Sequence, residues 1–209
     1  MSVTQAAVFD LGNVLVRIDP DPALRAMAEL VGADEPSFRQ AFAAIEEPFE
    51  TGRMSEEQAL EALFAAGRSA DRRDVADGTF DRRRALRLLR ATFPARFTPV
   101  GPAIDIAYRL AEAGTIVALA SNTSPLDFRE VRRRYPDVIQ PFGDRLFLSY
   151  RIGAMKPDAA FYRAILDSLG VSADECVFID DKRENVAGAE AVGMRGLLFE
   201  SAEDMDARL

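Results

Sequence analysis

Short apolar runs alternate along most of the chain with longer segments in which apolar residues recur every three or four positions. The short runs, Ala6 to Phe9, Thr115 to Ala120, Arg145 to Leu148, Cys176 to Ile179 and Gly196 to Phe199, predict strands. Pro102 to Ala113 places Ala103, Ile106, Ala107 and Leu110 on one stripe and stops at Gly114, which predicts a helix. Pro125 to Arg134, Asp158 to Leu169 and Asn185 to Val192 are the following helices. Strands and helices in alternation predict an α/β fold, a parallel sheet flanked by helices. The end of the chain, Ala202 to Leu209, reads either as a last acidic helix or as a frayed end.

Residues Val16 to Phe97 break this alternation with several helical stretches and no convincing strand, which predicts an inserted helical subdomain. Within it, Ser55 and Gln58 have capping-box spacing ahead of Leu60, Leu63 and Phe64. A further helix from Phe80 to Phe93 puts Ala85, Leu86, Leu89 and Phe93 on one side and Arg83, Arg87 and Arg90 on the other. That basic side reads as a solvated face or as a contact for an anionic substrate.

Composition adds limits. The 209 residues, 48% apolar and 29% charged, suffice for one sizeable core plus an appendage. A net charge of -8 argues against a nucleic-acid partner, because a phosphate backbone needs a basic surface. No apolar run approaches the roughly 20 residues of a membrane helix, and the amino terminus has no basic segment followed by an apolar core, so a soluble, cytoplasmic protein is expected. The single cysteine, Cys176, lies in an apolar run and reads as a small buried hydrophobe in a reducing compartment. With no histidine in the chain, catalysis must run on carboxylates, hydroxyls, lysine, arginine or a hard metal. Of 26 basic residues only Lys156 and Lys182 are lysine, so these positions keep a compact ammonium against a strong bias to arginine.

Polar groups gather at the ends of the predicted strands. The first delivers Asp10 ahead of a Gly12-Asn13 turn, at the rim where open parallel sheets place their ligands. After the second come Ser121, Asn122 and Thr123, at a helix-opening turn whose free amides attract an anion or are met by a plain N-cap. After the fourth come Asp180 and Asp181, adjacent acids that repel unless a cation lies near. Lys156, which Pro157 biases away from helical backbone, is their natural partner.

Taken in order, Phe9-Asp10-Leu11-Gly12-Asn13-Val14-Leu15, Ser121-Asn122-Thr123, Lys156-Pro157 and Asp180-Asp181 resemble the four motifs of the haloacid dehalogenase superfamily. The resemblance implies a Rossmann-like core over residues 1–15 and 98–209 with a helical cap over residues 16–97. It implies a phosphatase acting on a small phosphorylated molecule, with Asp10 as nucleophile and an aspartyl-phosphate intermediate. Ser121, the amide of Asn122 and Lys156 would hold the phosphoryl group. Mg²⁺ would be bound by Asp10, the Gly12 carbonyl and Asp181, with Asp180 orienting Lys156 or a metal-bound water. The first motif also resembles that of α-glucose-1-phosphate phosphatases.

One position departs from the pattern. Most phosphatases of this kind carry a second Asp, the general acid, two residues after the nucleophile, and here that residue is Gly12. Losing a general acid costs on the order of 100- to 10,000-fold, so esters with good leaving groups are expected to suffer least. Asp19 reads either as a turn residue ahead of Pro20 or as a substitute acid. Three competing readings follow: a non-catalytic phosphate- or phosphosugar-binding protein, a haloacid dehalogenase, and a phosphonatase. The paired acids speak against the dehalogenase, and a cap without lysine speaks against the phosphonatase. Candidate substrate contacts from the cap are Arg17, Arg53 and the Arg83 to Arg90 stripe, and oligomeric state is left open.

Overall fold

The chain was analysed as a computed structural model that describes residues 4–68, 82–92 and 97–209. In chain order the elements begin with β1 (Ala6–Asp10), β2 (Val16–Ile18), α1 (Pro20–Val31), α2 (Glu35–Glu50), α3 (Glu56–Arg68), α4 (Arg82–Thr92) and β3 (Phe97–Pro99). They continue with α5 (Gly101–Glu112), β4 (Ile116–Ser121), α6 (Pro125–Arg134), α7 (Pro136–Ile139), β5 (Leu146–Leu148), α8 (Ser149–Ile152) and α9 (Ala159–Leu169). The last are β6 (Cys176–Asp180), α10 (Arg183–Ala191), β7 (Arg195–Leu198) and α11 (Ala202–Arg208).

The five longer-range strands form one sheet in the order β5-β4-β1-β6-β7, every pair parallel. This is the expected Rossmann-like α/β architecture. The central strand β1 is buried along its whole length, and Ala6 to Phe9 are apolar on both faces, as a parallel strand covered by helices requires. Ala7 and Phe9 enter one core with Val117, Leu119, Val177 and Ile179. Ala6 and Val8 enter the other with Ala118, Phe161, Tyr162 and Phe178. Cys176 packs there too, and burial pushes its thiol up to about 12, so it is an inert filler. The carboxyl-terminal segment is the helix α11, capped by Ser201, with Met205 fully buried in the first core.

Strand limits extend the sequence reading by one residue where it matters. Asp10, Ser121 and Asp180 are each the final residue of β1, β4 and β6. Pro102 and Asn185 lie inside helices that start one and two residues earlier than the pattern predicts, at Gly101 and Arg183.

Between β2 and β3 the helices α1 to α4 build a separate core around Met27, Phe38, Phe49, Leu63 and Leu89. The capping box of α3 is formed, with the Gln58 amide donating to the Ser55 hydroxyl and the Ser55 amide donating to Gln58 Oε1. The helix read from Phe80 to Phe93 is α4 over Arg82–Thr92, and Phe80 and Phe93 lie outside the described residues. The reading that this region holds no strand is corrected: β2 pairs antiparallel with β3, Val16 opposite Pro99. Each strand is three residues long and its partner lies at the far end of the insert, so neither shows a period of its own. The seam drawn at residues 15/16 and 97/98 falls on this ribbon.

Candidate active site

Parallel strands that end at one level put their terminal side chains side by side, and here that brings Asp10, Ser121 and Asp180 to one rim. Lys156 reaches them from the segment before α9. Its Nζ donates to Asp10 Oδ1 and to Asp180 Oδ2, both at 2.6 Å, and to the Ala120 carbonyl at 3.2 Å. All three ammonium protons are therefore used, as a lysine only 3% exposed requires. Burial alone would lower its pKa, but the charges of Asp10 and Asp180 and their hydrogen bonds outweigh this and raise it. Lys156 is a fixed cation.

Asp180 is saturated. Its Oδ1 accepts from the Lys182 amide and from Asn185 Nδ2, and its Oδ2 accepts from Lys156 and, at 3.1 Å, from the same Asn185 amide. Asn185 is held in turn on the first turns of α10, where its carbonyl accepts from the buried Tyr162 hydroxyl at 2.7 Å. Asp10 has Oδ1 tied to Lys156. Burial is the largest influence on its carboxyl and Lys156 opposes it, while Asp180 and Asp181 add to the upward push, leaving it raised to about 7.

Asn122 does not point into an anion site with its side chain. It clamps the lysine loop, its Nδ2 donating to the Lys156 carbonyl and its Oδ1 accepting from the Lys156 amide, both at 2.9 Å. The Lys156–Pro157 peptide is cis. Ser121 is buried at the end of β4, and the amide of Thr123 donates to the fully buried Ser149 hydroxyl. The N-cap of α6 is Ser124, whose hydroxyl accepts from the Asp127 amide and donates to its carboxylate.

Asn13 shapes the loop after β1. It is the single described non-glycine residue with positive φ, 54°, a conformation asparagine tolerates. Its amide nitrogen Nδ2 donates to Asp181 Oδ2 at 3.0 Å and its Oδ1 accepts from the Ile18 amide, so it joins the two acidic loops to β2. Gly12 lies between Asp10 and Asn13, where a Cβ would come 2.8 Å from Ile18 Cδ1 and 3.8 Å from Asp10 Oδ2. The space of the missing acid is filled by Ile18.

Asp10, Asp180 and Asp181 each offer an oxygen, and these atoms lie within 4.8 Å of one another. Three carboxylate oxygens beside one lysine leave an excess of negative charge that a hard divalent cation fits. Asp10 and Asp181 are the better donors, because both oxygens of Asp180 already accept hydrogen bonds. Above them is a cavity of about 550 Å³ lined by Asp10, Gly12, Ser121, Asn122, Lys156 and Asp181 from the sheet rim. The insert closes the other side with Leu24, Arg39, Phe42, Glu46, Glu47 and Glu50.

All seven sequence-predicted site residues meet at this cavity, six in its lining and Asp180 behind Lys156. The expected insert contacts do not. Arg17 and Arg53 are exposed outside the lining, Arg53 paired with Glu47, and Arg90 of the α4 face pairs with Glu56. Asp19 is also outside the lining, exposed, and caps α1 by accepting from the Asp21 amide. Residues not anticipated are Asn13, Asn185, Asp127 and the α2 stripe. A carboxamide on the apolar face of α10, five residues after Asp180, was the available signal for Asn185. The α2 stripe is the polar complement of Phe38, Phe42, Ile45 and Phe49.

A haloacid dehalogenase-like hydrolase family model matches residues 4–193. The chain belongs to that family. It is 28% identical to drimenol cyclase of Aspergillus calidoustus over 207 residues, 99% of this chain and 36% of that protein. It is 39% identical to a sesquiterpene phosphatase of Aspergillus oryzae over 84 residues, 40% of this chain and 42% of that one. The chain thus spans well under two thirds of both proteins. Among solved structures, a haloacid dehalogenase-family enzyme of Bacteroides thetaiotaomicron matches with a TM-score of 0.81 at 17% identity, over 100% of this chain and 98% of that one. A variant of that enzyme, solved with magnesium and inorganic phosphate, matches with a TM-score of 0.78, also at 17% identity and over 98% of each chain. The shared fold is that of the family. No described helix is long and apolar enough to cross a membrane.

Proposed function

We propose that this haloacid dehalogenase-like hydrolase is a Mg²⁺-dependent phosphatase of a small phosphorylated metabolite. The observation that carries the reading is the buried Asp10–Lys156–Asp180 array beneath the cavity, with Asp181 at its edge. Phosphatases among the relatives and the magnesium-phosphate complex of a structural neighbour support it. Asp10 is the nucleophile. Lys156 holds its Oδ1, which leaves Oδ2 to attack phosphorus, so that an O–P bond to Asp10 forms as the ester P–O bond breaks. Water then attacks the aspartyl phosphate, and phosphate leaves as the carboxylate is restored. Ser121, the Asn122 amide and Lys156 bind the phosphoryl oxygens, Lys156 by exchanging its long 3.2 Å contact with the Ala120 carbonyl for a phosphoryl oxygen and so offsetting charge that spreads there in the transition state. Asp10, the Gly12 carbonyl and Asp181 hold the metal, with Asp180 fixing Lys156. Bound Mg²⁺ supplies further positive charge to the phosphoryl oxygens.

With Gly12 in place of an acid, the departing oxygen takes its proton from solvent. Substrates that leave without early protonation are therefore favoured, a sugar 1-phosphate, as in the α-glucose-1-phosphate phosphatases, or an acyl or aryl phosphate. Phosphate release with Mg²⁺ and with EDTA tests this on glucose 1-phosphate, p-nitrophenyl phosphate, acetyl phosphate and glycerol phosphate. Metal-dependent turnover of the first three, well above glycerol phosphate, is expected. Binding without turnover of any of them would replace the enzyme with a phosphate-binding protein.

A further inference from the structure

The three carboxylates at the rim are not held alike. Lys156 fixes Oδ1 of Asp10, and Asp180 accepts on both of its oxygens. Asp181 stands half-buried just after β6, and among the described residues its carboxylate accepts a single hydrogen bond, from Asn13 Nδ2 to Oδ2 at 3.0 Å. Its other oxygen is left for a cation. The Asn13 carboxamide has one way round. The Ile18 amide can only donate, so the Asn13 oxygen faces it, at 3.2 Å; Nδ2 then needs an acceptor on the opposite side, and Asp181 supplies it. The backbone below is fixed as well. The Asn13 amide donates to the Val16 carbonyl at 2.6 Å, and the Leu15 and Val16 amides both donate to the Leu11 carbonyl, closing a tight loop in which Asn13 takes its φ of 54°. Ile18 ends β2, the strand that leads into α1 of the insert, and its side chain lines the cavity. One carboxamide therefore spans from the most loosely held acid at the rim to the entry of the insert.

We infer that Asn13 is a positioning residue that ties Asp181 to the first strand of the insert, so that occupancy of the metal site and order in that strand are linked. The inference rests on the Mg²⁺-dependent reading above. A cation drawn to Asp181 fixes the carboxylate that Nδ2 grips, and this steadies the Asn13 side chain and its bond to the Ile18 amide. Linkage is reciprocal, so an ordered Asn13–Ile18 bond raises the affinity for the cation. Partners that orient a metal ligand set affinity by roughly 10- to 100-fold, and an exposed hydrogen bond belongs at the low end of that range.

Asn13→Gly tests the link, because glycine accepts a φ of 54° without strain and only the carboxamide is lost. Thermal unfolding in EDTA checks that the variant is folded. Calorimetric titration with Mg²⁺ alone should then give a Kd roughly tenfold higher than that of the wild-type chain. Hydrogen exchange at the Ile18 amide should slow when Mg²⁺ is added to the wild-type chain, and Asn13→Gly should abolish that response. In an Asp181→Ala background, with no carboxylate to orient, Asn13→Gly should lower Mg²⁺ affinity no further. A wild-type Kd in Asn13→Gly, an Ile18 amide indifferent to Mg²⁺, or an equal further loss in the Asp181→Ala background would overturn the link and leave the phosphatase standing. If the wild-type chain binds no Mg²⁺ and releases phosphate equally well in EDTA, the metal reading itself fails and the link falls with it.

Discussion

Asp10 and Lys156 depend on each other, because neither charge is stable alone where it is buried. Asp10→Asn leaves Lys156 paired with Asp180 at 2.6 Å, so the fold should survive while the proposed nucleophile is lost. Phosphate release should fall at least a thousandfold, with thermal unfolding moved by no more than about 2 kcal/mol. Wild-type-like rates in that variant would remove the covalent step. Gly12 offers the converse test, since an acid there would stand close to Asp10 Oδ2 once Ile18 gives way. Gly12→Asp alone should be poorly active, because its Cβ meets Ile18 Cδ1. The double variant with Ile18→Val should raise turnover of glycerol phosphate relative to p-nitrophenyl phosphate, by up to about 100-fold if the proton is supplied. An unchanged ratio would mean that protonation does not limit the alkyl ester.

The elements that place this chemistry were those with the plainest local signals. β1, β4 and β6 are apolar runs closed by a polar residue, so both the strand and the polar end it brings to the rim can be read together. The same holds for α3, where Ser55 and Gln58 mark the start. Ser55→Ala should cost about 1 kcal/mol in chemical unfolding, the usual size of an N-cap, and a loss below roughly 0.3 kcal/mol would show the box to be incidental. What the sequence hid has no period. β2 and β3 are stabilised by each other and by their neighbours, through contacts such as the Val100 amide donating to the Leu15 carbonyl. The glutamates of α2 look like any solvated face until the insert is seen to fold over the rim. Gly52 is of this kind as well. Its φ of 73° and a Cβ position 2.5 Å from the Tyr150 carbonyl show a close approach of insert and sheet domain that no local pattern announces.

At the scale of the molecule, the seam between insert and core decides how the cavity is closed. Leu126 belongs to α6 of the sheet domain, yet it is buried in the core of the insert among Phe42, Ile45 and Phe49, 1% exposed. Nearby, Arg129 of the same helix reaches Glu56 of α3 at 3.0 Å. Val131, also on α6, faces the opposite way into the core of the sheet. Truncating either residue to alanine removes buried apolar atoms, and each should destabilise the protein, Leu126→Ala by about 2–4 kcal/mol and Val131→Ala by somewhat less. Their effects on catalysis should separate. Leu126→Ala loosens the wall that bears Glu46 and Glu50, so KM for glucose 1-phosphate should rise severalfold at temperatures where the variant is fully folded. Val131→Ala leaves that wall anchored and should leave KM near the wild-type value. Equal changes in KM, with both variants folded, would mean that the insert does not need this anchor to form the substrate side of the cavity.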